Sequence, residues 1–287
     1  MDLAELRIFK AVAEQGGITK AAAALHRVQS NVTTRVKQLE ERLGAKLFNR
    51  QGRRLVLSSE GKVLLAYADR LLRLSSEAQA AVKGHVPHGL LKIGSLESTA
   101  ATRLPPVLAR YHRAHPAVRL ELVTGTSGAL VSKVLREEVE AAFVAEPFSA
   151  KNLEMLHAFS EELVLITPKN HPRVRTPKDL GQQTILGFTT GCSYRRRLEG
   201  WLGRSSIVAE RVMEYGSYHA IVACTAAGSG IAVVPKSVLR AVGAQDEVAV
   251  HPLPASVANA RTMLVWRRGH ASSALDALRE ELGRNTR

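Results

Sequence analysis

At 287 residues, with 45% hydrophobic and 23% charged side chains, the chain has the composition of a globular protein able to bury a core in one small and one larger domain, or in three small ones. No apolar run approaches the roughly 20 residues that cross a bilayer, and the opening MDLAELRIFK, with two acids in its first five residues, does not have the basic-then-apolar order of a signal peptide, so a cytoplasmic protein without a membrane partner is expected. The formal net charge of +14 points to a polyanionic partner, because clustered Lys and Arg gain affinity for phosphates by releasing counterions.

From Leu3 to about Gln15, apolar residues Leu6, Phe9 and Val12 recur at helical spacing and Gly16-Gly17 supplies the stop, which predicts a first helix. A second helix is predicted from Thr19, as its N-cap, through a run of four alanines to Leu25; small side chains there let another helix approach closely. After His26-Arg27, a third helix places Val32, Val36, Leu39 and Leu43 on one stripe and stops at Gly44. Its other face carries Gln29, Ser30, Thr33, Thr34 and Lys37, with Asn31 and Arg35 at the edges. Amides can pair with adenine edges, hydroxyls reach phosphates or bases, and Arg suits guanine or phosphate, so this face has the composition of a major-groove reader rather than of a merely solvated helix.

A short helix of small residues, a tight turn and a polar-faced helix make a helix-turn-helix. In AKLFNRQGRRLVLS, Leu47-Phe48 anchors to the core, Gln51-Gly52 turns, and Arg54 to Leu57 returns as a strand, giving a wing with Arg50, Arg53 and Arg54 about its tip. From His26 to Arg54 eight Lys and Arg face only Glu40 and Glu41, a local basic focus.

The run LRIFKAVAEQGGITKAAAALHRVQSNVTTRVKQLEERLGAKLFNRQGRRLVLSSEG resembles the DNA-binding domain of LysR-type transcriptional regulators almost end to end, through its paired alanines, Gln29, Leu39-Glu40 and Leu47-Phe48-x-Arg50. The resemblance implies that Gln29 and its neighbours touch bases, Thr33 a phosphate and Arg53 a groove. The chain departs from the family at Ser30, where proline is usual, and at Thr34, where arginine is usual.

Ser58 caps a further predicted helix, with Glu60 in its first turn, and Leu64, Ala68, Leu71, Ser75, Ala78 and Val82 follow a 4-3 alternation to about Lys83. At 1.5 Å per residue it would reach about 39 Å. Its stripe is expected to find no partner in its own segment, leaving a second subunit; in the resembling family this helix pairs antiparallel across a dimer. GHVPHG ends it as a hinge. The expected division is 1–58 winged helix-turn-helix, 59–87 linker helix and hinge, and 88–287 effector domain.

From Leu90, strands alternate with helices in two sets: LLKIGS, VRLELVTG and AAFVAEP, then ELVLITP, TILGFT and IAVVP, closing with TMLVWRR. The whole chain is thus read as α/β with an N-terminal all-α winged helix-turn-helix, a long linker helix and a two-lobed, periplasmic-binding-protein-like effector domain, lobe I at about 88–162 and 264–287, lobe II at about 163–263. Small polar residues stand at the predicted helix starts: Ser98-Thr99 after the first strand, Thr126-Ser127 after the second, Cys192-Ser193-Tyr194-Arg195 in the second lobe, and Ser217-Tyr218-His219 beyond it. Each offers hydroxyls or free amides to one cleft. Glu97 and Glu146, near strand ends, suit a cationic ligand, whereas Arg103, Arg195 and Arg196 suit a carboxylate. The fragments GSLESTAA, GCSYRRR, GSYHAIVAC and LVWRRG resemble the LysR subgroup of the putrescine-utilization regulator, which implies an amine, amino-acid or related carboxylate signal. The partners implied are promoter double-stranded DNA, a small-molecule effector, one or three further copies of the chain, and RNA polymerase if it activates.

No enzyme signature is found. Gly228-Ser229-Gly230 precedes an apolar strand rather than following one, so it reads as a helix stop and not a phosphate cradle. His112 and His115 have no third ligand placed near them, and the hydroxyls have no spaced base, so neither a metal, a cofactor nor catalysis is expected. Cys192 and Cys224 are too few for a disulfide framework, leaving free thiols or a redox pair.

Overall fold

The computed structural model describes residues 1–51, 54–83, 86–181 and 183–283, and it separates into two compact units at 86/87. In the first unit, α1 (Leu3–Gln15) starts in a reciprocal capping box: the Glu5 amide donates to Asp2 and the Asp2 amide to the Glu5 carboxylate. Gly16, in the left-handed region, ends it. Helix α2 (Ile18–Ala24) is opened by Gly17, so Thr19 lies inside its first turn and is not the cap; the extended backbone of the N-cap stands at Gly17, two residues earlier. Helix α3 (Gln29–Leu43) buries Val32, Val36 and Leu39 against Leu6, Phe9 and Val12, and Gly44 terminates it.

Strands β1 (Phe48–Gln51) and β2 (Arg54–Leu57) form an antiparallel wing, paired from Phe48 and Leu57 to Gln51 and Arg54. Its root is fixed by polar contacts. The Leu47 and Phe48 amides donate to one Glu40 oxygen, at 2.7 and 3.3 Å, and the Phe48 ring packs 5.4 Å from that of Phe9.

Helix α4 (Ser59–Lys83) follows, and Ser58 satisfies both sides of the junction: its hydroxyl donates to Lys46 O at 2.6 Å and accepts from the Gly61 amide at 2.9 Å. The predicted stripe requires correction. Ala68 is fully buried, Leu64, Leu65 and Leu72 are partly buried against the α1 core, and Lys10 reaches Asp69 at 2.5 Å, so the first half of α4 does have a partner in its own unit. A straight helix drifts about 20° per heptad from a 3.5-residue repeat, and here the exposed apolar row is Val63, Tyr67, Leu71 and Leu74 instead.

The second unit begins with β3 (Gly89–Ser95), which leads into α5 (Glu97–Thr102) and α6 (Leu104–Ala114). Next come β4 (Val118–Thr124), α7 (Ser127–Leu135), β5 (Ala141–Ala145) and the 16-residue β6 (Leu153–Pro168). Beyond them lie β7 (Thr184–Gly187), α8 (Ser193–Gly203), β8 (Arg211–Glu214), α9 (Tyr218–Ala226), β9 (Ala232–Pro235), α10 (Lys236–Val242) and β10 (Val248–Pro252). The chain closes with α11 (Ala255–Ala258), β11 (Asn259–Arg267) and α12 (Ser273–Gly283).

Strands β3, β4 and β5 are parallel, while β11 runs antiparallel to both β5 and β6. Along β6 the partner changes: residues up to Glu162 pair with β11, and residues from Leu163 onward pair with β9 on one edge, those from Val164 with β10 on the other. Parallel β7 and β8 join this second group through a bridge from Ile185 to Ile231. The result is two α/β lobes sharing a continuous sheet edge, the periplasmic-binding-protein-like fold. One face of the first sheet packs Leu91, Ile93 and Phe143 on α6 and α12, where the buried Tyr111 hydroxyl donates to Ala274 O at 2.8 Å. The larger core is continuous from the other face, through Leu130, Val144 and Leu163, into the second lobe.

Gly230 marks a tight approach in that lobe. A Cβ there would lie 2.3 Å from Thr184 O, so the Gly228-Ser229-Gly230 segment is a close turn against β7. Gly61 is equally constrained, since an added Cβ would stand 2.1 Å from the Leu47 carbonyl oxygen, which the helix α4 entry cannot move without losing the Ser58 contacts. Gly61→Ala is expected to destabilise the first unit by about 1–3 kcal/mol, read as a lower urea midpoint with unchanged slope; an unaltered midpoint would show that the junction yields freely.

Candidate functional sites

On the first unit, the face of α3 opposite its buried valines is open. Gln29, Ser30, Asn31, Thr34, Arg35 and Lys37 are all exposed and Thr33 is half-buried. Their donors are not equally available. The Thr33 hydroxyl donates to the Gln29 carbonyl at 2.9 Å, Asn31 accepts from Arg27 at 3.4 Å, and Arg35 stands 4.0 Å from Glu5. Glu5 is mainly claimed by Arg42; the Asp2 amide and the Arg42 guanidinium hold its carboxyl below the usual range. Gln29, Ser30, Thr34 and Lys37 are therefore the side chains of this face with no side-chain tether in the structure. Arg50 is exposed on β1, opposite Leu55. Arg53 lies outside the described residues, as does the side chain of Arg54. Residues 1–86 hold 15 Lys and Arg against 8 Asp and Glu, half the formal net charge in less than a third of the chain.

In the second unit one small cavity lies where the strands of both lobes end and their helices begin. It is lined from the first lobe by Leu96, Glu97, Ser98, Gly125, Thr126, Ser127 and Ala145, and from the second by Phe188, Cys192, Ser193, Tyr194 and Tyr218, with ≈20 Å³ of free space. That is room for about one water-sized group. The convergence follows from topology: a parallel strand feeding a helix puts the strand's carboxyl end and the helix's amino end on one side.

Contacts across the gap hold the lobes together. The Gly128 amide donates to Gly191 O at 3.2 Å, and the Ser193 hydroxyl to Ala145 O at 2.7 Å. Ser127 spends its hydroxyl on Ala145 as well, donating to its carbonyl and accepting from its amide, both at 3.1 Å. Thr126 caps α7 through the Ala129 amide, and Ser217 accepts from the His219 amide. Against these satisfied groups stand several that are buried without a hydrogen-bond partner: Glu97 Oε2, the hydroxyls of Ser98 and Thr99, and the Tyr194 phenol. Burial pushes the Glu97 carboxyl upward, although the Tyr218 amide and the nearby His219 pull the other way. It also pushes up the phenols of Tyr194 and Tyr218 and the thiol of Cys192, so all three stay protonated at neutral pH. Cys192 and Cys224 are both free thiols.

Several residues singled out from sequence stand apart from the cavity. Glu146 is taken up by Arg261 in a two-pronged pair at 2.9 Å, which corrects the expectation that it shares a cation with Glu97. Arg195 binds Glu199 at 2.7 Å and Glu214 at 2.8 Å, Arg103 binds Glu161 at 2.6 Å, and Arg196 reaches the Pro147 carbonyl, so none of the three lines the cavity to meet a carboxylate. Thr99 is buried without lining the space, and neither Ser217, the cap of α9, nor His219, in its first turn, lines it. Leu96, Gly125, Ala145 and Phe188 line it without having been singled out, because apolar and glycine wall residues carry no signal distinguishing them from core.

The pattern of the LysR substrate binding domain matches residues 84–287, and that of the bacterial regulatory helix-turn-helix protein, lysR family, matches residues 3–62. The chain belongs to the LysR family. It is 40% identical to the HTH-type transcriptional regulator YusT of Bacillus subtilis over 277 residues, 96% of this chain and 93% of that one. Among solved structures it is similar to a full-length OxyR variant from Pseudomonas aeruginosa, with a TM-score of 0.72 and 23% identity over 98% of this chain and 94% of that one. It is also similar to full-length CbnR complexed with target DNA, with a TM-score of 0.68 and 24% identity over 99% of each. This LysR chain is thus a DNA-binding transcriptional regulator with a substrate-binding domain, and regulators of this family are not enzymes. Among the described residues no helix is long and apolar enough to cross a membrane.

The raised Glu97 pKa fixes a sign for stability. A folded carboxyl that ionises later than in the unfolded chain binds more protons in the folded state, so stability falls as pH rises from the ordinary carboxylate value through the raised one. Glu97→Gln removes that loss. The variant is expected to gain stability over the native chain at pH 7 and to lose the gain at pH 4, measured as paired urea midpoints; a variant less stable at pH 7 would contradict the desolvation account.

Proposed function

We propose that this LysR regulator reads promoter DNA with the open face of α3 and that a small molecule in the interlobe cavity alters how it does so. The observation that carries the first half is the sorting of α3: Val32, Val36 and Leu39 are buried while Gln29, Ser30, Thr34 and Lys37 face solvent. Amide and hydroxyl groups on a helix braced by α2 suit base edges and phosphates. Asn31, Thr33 and Arg35 serve at the margins, and Arg50, with Arg53 and Arg54, supplies the wing's phosphate contacts. The effector occupies the space bounded by Glu97, Ser98, Thr126, Ser127, Cys192, Ser193, Tyr194 and Tyr218, and its binding shifts the balance between arrangements of the lobes. An amine, amino acid or related carboxylate metabolite fits the resemblance of GSLESTAA and GCSYRRR to the putrescine-utilization subgroup, a reading that rests on those fragments alone. The protein acts in the cytoplasm, and RNA polymerase is its further partner where it activates.

The exposed row on α4 supports a dimer. Val63, Tyr67 and Leu74 are 60%, 56% and 61% exposed, large apolar side chains at helical spacing that a second copy of the same helix would cover. Leu74→Asp is expected to convert dimer to monomer in sedimentation velocity; an unchanged species would place the interface elsewhere.

Footprinting upstream of the protein's own gene tests the DNA reading. Gln29→Ala is expected to lose about 1–3 kcal/mol of discrimination at one base pair, whereas Arg50→Ala weakens specific and random DNA alike and lowers the salt slope by about 1. Equal losses on both DNAs from both variants would refute the assignment.

A further inference from the structure

The formal charge available in the cavity's lining has one sign. Of the ionisable side chains lining it, Glu97 is the only carboxylate, and no Lys or Arg lines it. The arginines of the flanking elements are engaged away from it: Arg103 and Arg195 are neutralised by Glu161 and by Glu199 with Glu214, and Arg197 donates to the backbone carbonyls of Glu146, Val257 and Asn259. One Glu97 oxygen has no partner, and the same cavity is lined by the hydroxyls of Ser98 and Tyr194, both almost fully buried; the two interact with each other without forming a well-shaped hydrogen bond. The exposed His219 stands near the Glu97 carboxylate.

Helix amino ends ordinarily favour an anion. Here that demand is met from within at two of the three: the Tyr218 amide at the start of α9 is directed at the Glu97 carboxylate and Thr126 caps α7, whereas Cys192 at the start of α8 makes no side-chain cap hydrogen bond. What remains is one carboxylate oxygen, acceptor-only while ionised, together with the hydroxyls of Ser98 and Tyr194, which can accept as well as donate. Two aromatic rings, Phe188 and Tyr218, 4.9 Å apart and edge to face, supply the walls, and such rings attract a cation placed over their faces. The free space of ≈20 Å³ matches one ammonium group, which has the size of a water molecule and three donors in place of two.

We propose that the cavity binds the ammonium group of a small primary amine, with Glu97 Oε2 as its counter-ion and the Ser98 and Tyr194 hydroxyls as its remaining acceptors. This rests on the cavity being the effector site and settles which of the two charge types it takes: a cation, not a carboxylate. The carbon chain of an amine larger than methylammonium exceeds the ≈20 Å³ available and requires the lobes to part, which strains the Gly128 to Gly191 and Ser193 to Ala145 bonds that span them.

The test uses the full chain. Calorimetry with methylammonium and 1,4-diaminobutane chlorides, against sodium acetate, tetramethylammonium chloride and KCl at matched ionic strength, is expected to show binding by the two primary amines only. Glu97→Gln should weaken them by about 10- to 150-fold, the factor set by a hydrogen bond to a charged group, while Glu162→Gln, on an exposed pair with Lys236, leaves them unchanged. Binding of acetate in place of the amines, binding by tetramethylammonium as tightly as by methylammonium, or amine binding that survives Glu97→Gln would each overturn the proposal. Hydrogen exchange on the same samples separates this from the cavity assignment. Amine-induced protection is expected at Leu96–Thr99 and Ser193–Arg195; protection confined to other segments overturns the site, whereas protection of these segments by acetate and not by amine keeps the site and overturns the ligand class.

Discussion

A parallel strand that feeds a helix delivers the strand's last carbonyls and the helix's first unpaired amides to one place, and the effector unit is built so that four such places meet, with the end of β5 beside them. The strands β3, β4 and β5 end on one side of the gap, and β7 and β8 end on the other. Because β6 changes partners at Glu162 and Leu163, the two lobes are extensions of one sheet rather than separate bodies, and their strand ends are forced toward each other. Every polar group at the cavity then has to be satisfied locally or left for a ligand. Ser127 and Ser193 are spent on Ala145, Thr126 on α7, and the remainder are the groups around Glu97.

In the first unit the same accounting runs through side-chain patterning instead of topology. A helix of 15 residues with three buried apolar positions has only one way to face the α1 core, so the chemistry of its outer face is decided as soon as Val32, Val36 and Leu39 are seated. Glu40, one residue on, ties the wing to this helix by accepting from two consecutive amides, which sets where Arg50 emerges. Helix capping, burial and the wing's position are thus consequences of one packed stripe.

These two kinds of constraint explain what could be read without coordinates. The helices of the first unit were plain in the sequence because glycines at 16 and 44 and the 3-4 spacing of valines and leucines are local signals; Thr19 misled because a Gly-Gly pair can open the next helix as readily as close the last. The α4 stripe failed for a geometric reason: a 4-3 pattern written from Leu64 does not follow the face of a straight helix, and Leu65 and Leu72, off that pattern, pack inward while Leu71 turns out. In the effector unit, the hydroxyl-bearing helix starts could be named, yet the sequence offered three arginines and two glutamates with no means of telling which were already paired. Glu146 and Arg261 are 115 positions apart, and Arg103 and Glu161 are 58 apart, separations over which no pattern operates. The short α11 and the strand β10 carried no periodicity of their own and are defined by pairing with, or packing on, β6.

Long-range pairing also decides the electrostatic character of the site. In a chain with 40 Lys and Arg against 26 Asp and Glu, an unneutralised carboxylate is the exception that composition argues against. The domain's arginines are drawn off elsewhere by better geometry: Arg261 grips Glu146 through Nε and one terminal nitrogen, and the largely buried Arg195 sits between Glu199 and Glu214. A half-buried acid kept from its counter-ions costs stability in the empty protein, and that cost is returned to any ligand able to supply the missing charge. The lobe-bridging bonds at Gly191 and Ser193 complete the arrangement: in the proposed reading, a ligand longer than one polar head group gains the Glu97 contact in a form of the domain where those bonds have changed, and its preference for that form is the free energy available to move the equilibrium.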